Sequence, residues 1–193
     1  MSELRFPINE HDHVVGPADA PVTLVEYGDY QCPHCQAAWP QVELVLRNFG
    51  RDLRYAYRHF PITTLHPLAK PAAETAEFAG AHGLFWEMHS AIFANGHQLS
   101  GPTLAALVSR LGLDVAELQD ALDRGIYAAK VDSDFLSGVR SGVNGTPCFF
   151  VNGERHDGGY DAMSLSAAIE AAGSDAAQQR ARAQEIPIRV GMS

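Results

Sequence analysis

A chain of 193 residues, 46% hydrophobic and 19% charged, is long enough to bury one sizeable core and too apolar for general disorder. Its formal charge of −9 repels a phosphate backbone over most of the surface, so nucleic acid is not expected as a partner. The first ten residues carry no basic flank followed by an apolar stretch, and no apolar run approaches membrane-spanning length, so no membrane association and a cytoplasmic location are expected, or a periplasmic or secreted one if a leader has been removed.

Residues 1–20 are polar and broken by Gly16-Pro17 and Ala20-Pro21, which predicts an arm. Val22-Thr23-Leu24-Val25-Glu26-Tyr27 is rich in β-branched and apolar residues and reads as a buried strand running into a turn at Gly28-Asp29-Tyr30-Gln31. Trp39, Val42, Leu46 and Phe49 then recur at helical spacing, with Gly50 as the stop and Pro40 bending the helix without ending it. Leu53, Tyr55, Tyr57 and His59 alternate as in a second strand closed by Pro61, so strand, helix and strand form a βαβ unit.

From about residue 67 to 143 the pattern is helical. Leu84, Phe85, Met88, Ile92 and Phe93 make one stripe, and Leu104, Leu107, Val108 and Leu111 a second. Asp114 with Glu117 resembles a capping box opening a third helix with Val115, Leu118 and Leu122, and Ile126, Val131, Phe135 and Val139 make a fourth stripe. Cys148-Phe149-Phe150-Val151 then ends in Asn152-Gly153, a hairpin signal with a returning strand through Glu154 to His156. A last helix is expected from Asp161 to about Ala172, packed through Leu165, Ala168 and Ile169, with a tail beyond it.

The chemistry sits in Cys32-Pro33-His34-Cys35. A sulfur at the first turn of a helix lies beside free backbone N–H groups and the positive end of the helix dipole, both of which favour thiolate, so Cys32 is the expected nucleophile. Cys35, one turn further in, is spaced to attack a mixed disulfide on Cys32 and is the expected resolving thiol. A protonated His34 would add charge or a donor near the Cys32 sulfur, and a Cys32 pKa of roughly 3.5–7 is predicted. The competing reading of Cys-x-x-Cys is half of a zinc site, but no second pair exists to complete it. No metal or other cofactor is called for.

Val25-Glu26-Tyr27-Gly28-Asp29-Tyr30-Gln31-Cys32-Pro33-His34-Cys35 resembles the active-site strand and turn of the DsbA-like thiol-disulfide oxidoreductases. Phe85-Trp86-Glu87-Met88-His89 is similar to a helix of that family's inserted subdomain. Val143-Asn144-Gly145-Thr146-Pro147 with Phe149-Phe150-Val151-Asn152-Gly153 is similar to its cis-proline strand and hairpin, and the likeness spans about residues 14–172. The resemblance implies an α/β thioredoxin fold, a central mixed sheet flanked by helices, with residues 21–66 and 143–173 forming the main domain, 67–142 an inserted helical subdomain, and 1–20 and 174–193 an arm and a tail. It implies a protein-disulfide oxidoreductase acting on protein or peptide thiols and disulfides, recycled by an unidentified redox partner. It also implies a cis Thr146-Pro147 peptide presenting backbone to substrate, the alternative being an ordinary trans proline, and a Glu26 beneath the site that shuttles the Cys35 proton, the alternative being a strand acid in a buried hydrogen bond or reaching solvent.

Cys148 departs from that family's pattern and leaves three roles open: a redox partner, a metal ligand with Cys32 and Cys35, or a small buried hydrophobe. A thiolate metal carrier and a noncatalytic peptide-binding module are the rival functions; the kappa-type glutathione transferases share a similar helical insertion but do not rely on a paired dithiol. His11-Asp12-His13 offers metal-binding atoms in what reads as a solvated arm, and His82 and His89 could share a helical face, although Trp86 and Met88 beside them suggest packing.

Overall fold

The computed structural model describes residues 3–184. Its centre is a pair of parallel strands, β2 (Val22–Gly28) and β3 (Leu53–His59), in register from Val22 opposite Leu53 to Gly28 opposite His59. The helix α1 (Pro33–Phe49) makes the crossover between them and continues through Pro40, as its spacing predicts. Its buried face is Cys35, Ala38, Trp39, Val42 and Val45, whereas Leu46 and Phe49 only pack at the margin of the core.

β4 (Cys148–Val151) lies antiparallel against β2, and β5 (Glu154–His156) antiparallel against β4. Asn152 and Gly153 have φ of 47° and 87°, the left-handed pair that a tight two-residue hairpin loop requires. An edge strand, β1 (His13–Val15), runs antiparallel to β3, so the sheet order is β1-β3-β2-β4-β5.

The arm expected over residues 1–20 thus supplies an edge strand and packs on the sheet through its described residues. Arg58 is buried, and its guanidinium donates to the Asp12 carboxylate at 2.7 Å, to the Phe6 and Pro7 carbonyls at 2.7 and 3.0 Å, and to the Tyr27 hydroxyl at 2.9 Å. A buried guanidinium is tolerated only when fully partnered, and the partners come from the N-terminal segment. Asp12 and His13 are correspondingly not solvated: Asp12 holds Arg58, and His13 Nε2 lies 2.9 Å from Glu77.

Between β3 and β4 run α2 (Ala69–Ala81), α3 (Phe85–Ala94), α4 (Gly101–Arg110), α5 (Val115–Asp123) and α6 (Ala128–Arg140). Asp114 caps α5 by accepting the N–H groups of Ala116 and Glu117 at 2.6 and 3.4 Å. The α3 stripe is buried at Phe85, Met88, Ile92 and Phe93. The expected fourth stripe is only half right. Val131 is buried and Phe135 packs on the core, but Ile126 precedes α6 and, like Val139, is about half exposed. The inward face of α6 is Val131, Asp134 and Gly138, and an acid and a glycine leave no apolar signal.

α7 (Ala162–Gln184) also runs further than expected. Leu165 and Ile169 anchor its first turns, and beyond Ala172 the Ala, Gln and Arg residues are good helix formers that need no packed face to continue. Residues 185–193 of the expected tail lie outside the described residues.

The strand pleat divides the interior into two cores. Val22, Leu24, Leu53, Tyr55, Tyr57, Phe149 and Val151 face α1, α3 and α7, together with Cys32 and Cys35. Val25, Tyr27, Ala56, Cys148 and Phe150 face the other way, against Phe135 of α6 and Leu4, Ile8 and Val14 of the N-terminal segment. A mixed sheet flanked by helices, with helices inserted between β3 and β4, is a thioredoxin fold.

Candidate active site

β2 ends at Gly28, where an added Cβ would stand 2.5 Å from the Tyr57 ring, so glycine is required at the point where the chain leaves the sheet. The next residues turn tightly: Asp29 Oδ1 accepts the N–H groups of Gln31 and Cys32 at 2.8 and 3.2 Å. Cys32 is thereby set at the N-cap of α1, in extended geometry (φ −70°, ψ 122°), with Pro33 at the first helical position, where a missing N–H costs nothing. Cys35 follows within the first turn, fully buried, its sulfur receiving the Asp29 N–H at 3.4 Å.

Opposite this turn, the loop before β4 brings the Thr146 carbonyl 3.5 Å from the Cys32 sulfur, and the Thr146-Pro147 peptide is cis. Four groups therefore converge on Cys32. The Cys35 thiol donates to its sulfur, which is the largest influence; burial opposes the charge; and the Thr146 side chain and the backbone N–H groups of Cys35 and His34 add to the stabilisation. Together they draw the Cys32 thiol from 9.0 down to about 5. Cys35 moves the opposite way, pushed well up by burial, by its bond to Cys32 and by the charge of Glu26.

Glu26 sits on β2 and is buried, with Oε2 accepting a 2.6 Å hydrogen bond from the Tyr55 hydroxyl. Burial raises its carboxyl to about 7 against the pull of that bond. The His34 ring is exposed and turns to the Tyr160 hydroxyl, 3.2 Å from Nδ1; what His34 supplies to the Cys32 sulfur is its backbone N–H.

Cys148 follows Pro147 in sequence, yet the pleat turns it to the opposite face of the sheet, against Tyr27, Phe60 and Phe150. Burial raises its thiol, as expected of a small buried hydrophobe. The three sulfurs thus do not converge. Among the described residues one group of His, Cys, Asp and Glu lies within ligand distance of one another, His59, Glu77 and Asp134. That group is closed on itself: His59 Nε2 meets Glu77 at 2.7 Å and Lys130 donates to both oxygens of Asp134. The metal-carrier alternative loses its third ligand. His82 and His89 do not share a face either, since His82 is exposed and His89 is buried, 2.8 Å from the Tyr30 hydroxyl and held well below the usual histidine range by burial.

Asp29, Gln31, Tyr55, His66 and Tyr160 complete the surroundings, and the sequence reading missed all five as site residues. For Asp29 a signal existed: an aspartate in a turn commonly accepts N–H groups two and three residues on. For Tyr55 and His66 none did, because their partners are remote in the chain.

The fold and this paired-sulfur turn define a thioredoxin-fold protein with a helical insertion. The family profile described as thioredoxin (Thioredoxin_4) matches residues 8–171, and the chain belongs to that family. The oxidised BdbD of Bacillus subtilis superposes with a TM-score of 0.81 at 22% identity, covering 90% of this chain and 98% of that one. A thioredoxin-like oxidoreductase of Silicibacter pomeroyi gives 0.74 at 26% identity, covering 86% and 94%. A curated relative from Salinispora arenicola, named Na(+)/H(+) antiporter NhaA 1, is 44% identical over 171 residues, covering 88% of this chain and 26% of its own length. The chain thus spans about a quarter of the curated relatives it matches. No helix among the described residues is long and apolar enough to cross a membrane.

Proposed function

We propose that the chain is a thiol-disulfide oxidoreductase that exchanges disulfides with protein or peptide substrates through Cys32 and Cys35. The observation that carries this reading is geometric: one sulfur at the N-cap of α1 beside the cis Thr146-Pro147 peptide, with a fully buried second sulfur one turn further in, an arrangement that lowers the first thiol and raises the second. In the reducing direction the Cys32 thiolate attacks a substrate disulfide and releases one substrate thiolate. Cys35 then gives its proton to Glu26 and attacks the Cys32 sulfur, closing the Cys32–Cys35 disulfide and releasing the second substrate thiolate. The oxidising direction runs these steps backward. Glu26 is fitted to the proton step because burial holds its carboxyl near 7.

Thr146 and Pro147 offer main chain to an extended peptide, which pairs by strand addition and brings its sulfur to Cys32. In this reading residues 21–66 and 143–173 carry the redox domain and 67–142 the inserted subdomain. An acidic Cys32 is a good leaving group, which makes the disulfide form oxidising. A redox partner recycles the pair, and the compartment sets its direction: reducing surroundings hold it as the dithiol and oxidising ones as the disulfide. Purified protein is expected to reduce insulin or oxidise a reduced peptide, and Cys32→Ser to abolish both. Undiminished activity in that variant overturns the reading.

The name carried by the curated relatives supports a second reading, in which a dithiol of this kind acts on an attached or partner cation-proton antiporter. Sodium-proton exchange by such a transporter, assayed in vesicles with the oxidised and then the reduced chain, differs between the two if this holds; equal rates remove it.

A further inference from the structure

The carboxyl group of Asp29 is fully enclosed and carries four hydrogen bonds. On one oxygen it receives the backbone N–H groups of Gln31 and Cys32 at 2.8 and 3.2 Å; on the other it receives the Ile62 N–H at 2.9 Å and meets His66 Nδ1 at 2.8 Å. Three of these four partners are backbone N–H donors, and His66 Nδ1 is the fourth donor in the tautomer that carries its proton there. The first pair of bonds shapes the turn that ends in Cys32. The second reaches across to the segment between β3 and α2. Gln31 makes the same crossing, its side-chain carbonyl accepting the Leu68 N–H at 2.7 Å.

We propose that Asp29 and His66 are a positioning pair that clasps the 60–68 segment to the Cys32 turn and so fixes the angle at which the first N–H groups of α1 meet the Cys32 sulfur. The proposal rests on the reading of Cys32 as the reactive thiolate. Its physical basis is local. Cys32 has no side-chain cap of its own, so the start of α1 is held by the Asp29 bonds and not by the cysteine. Backbone N–H donors stabilise a thiolate only while they point at it, and two of the influences on Cys32 are the N–H groups of His34 and Cys35. His66 is the one side-chain partner of Asp29 among the described residues and is itself only partly exposed, so it closes the clasp from the solvent side. Glu26 on β2, Tyr55 and Tyr57 on β3 and His34 on α1, titratable groups that face the dithiol, are untouched by substitutions in the clasp.

The test is a thiolate absorbance titration of Cys32 in the reduced protein, with the glutathione equilibrium as second readout. His66→Ala is expected to raise the Cys32 pKa by about one unit, a ten-fold loss of thiolate preference. The glutathione equilibrium moves about ten-fold toward the disulfide, some 30 mV for a two-electron couple. His66→Gln, whose amide can still donate to Asp29, is expected to recover most of this. Asp29→Ala is expected to raise Cys32 as well, although removing a nearby negative charge would by itself lower it. An unchanged titration in His66→Ala, or a Cys32 pKa that falls in Asp29→Ala, overturns the proposal; if Asp29→Ala does not fold, the two His66 variants decide it. Because the titration reads Cys32 directly, a protein that exchanges no disulfides yet shows the His66 shift would sink the oxidoreductase reading and leave the clasp standing.

Discussion

The Tyr55 hydroxyl donates a 2.6 Å hydrogen bond to Glu26 Oε2 inside the core that also holds Cys32 and Cys35. The bond lowers the Glu26 pKa but does not offset burial, which leaves the carboxyl at about 7 against 4.5 in water. Between those values the folded protein holds a proton that the unfolded chain releases, so stability falls as pH rises from 4.5 to 7 and levels off above. Glu26→Gln is therefore expected to stabilise the protein at pH 8 by on the order of 3 kcal/mol relative to its effect at pH 4. Urea unfolding at the two pH values checks this; equal effects would place Glu26 in a wetter environment. The same variant should slow resolution of the mixed disulfide and remove a limb near pH 7 from its rate profile.

A depressed thiol links redox state to stability. Cys32 is drawn from 9.0 to about 5, so the reduced form gains stability that is complete above pH 9 and disappears as pH falls through 5. Glu26 titrates in both redox forms and largely cancels from the comparison. The melting temperature of the reduced protein minus that of the oxidised one should shrink as pH is lowered from 8 to 4.5. A difference that stays constant across this span would mean that Cys32 is not held as a thiolate.

Cys35 is sealed from solvent and its thiol is pushed up, so it cannot start an exchange. Cys35→Ser is expected to accumulate a mixed disulfide between Cys32 and substrate, visible as a band shift on non-reducing gels. Cys32→Ser is expected to give none. A trapped adduct in Cys32→Ser would reverse the two roles.

Asp12 is the charge that allows Arg58 to be buried. Its removal leaves an uncompensated guanidinium, which typically costs about 3–5 kcal/mol, or on the order of 10 °C in melting temperature for a chain of this size. Asp12→Ala is expected to lose that much by calorimetry. A loss under 1 kcal/mol would mean that the N-terminal segment does not hold Arg58 in solution.

Several features were legible because their physics is local. A sulfur placed where a strand turns into a helix is acidified by N–H groups within three residues of it, and Asn152-Gly153 forms a hairpin from its own backbone preferences, so Cys32 and the β4–β5 turn follow from short stretches of chain. Alternation of Leu53, Tyr55, Tyr57 and His59 identified one buried face of β3 correctly. It could not foretell that Arg58, on the other face, is buried too, because that depends on a second layer arriving from elsewhere.

Sequence by itself thus determined the dithiol, the βαβ unit around it and the closing hairpin, but not β1 or α2. Tertiary structure decided the partners of the buried polar groups: Asp12 for Arg58, 46 residues away, and His66 for Asp29, 37 residues away. It also decided that Cys148 faces away from the site, since pleat parity becomes a direction only once strand pairing is set. The reason is common to all three. A residue type fixes what a side chain can donate or accept, whereas only the folded chain brings the matching group within reach and keeps water from competing for the bond.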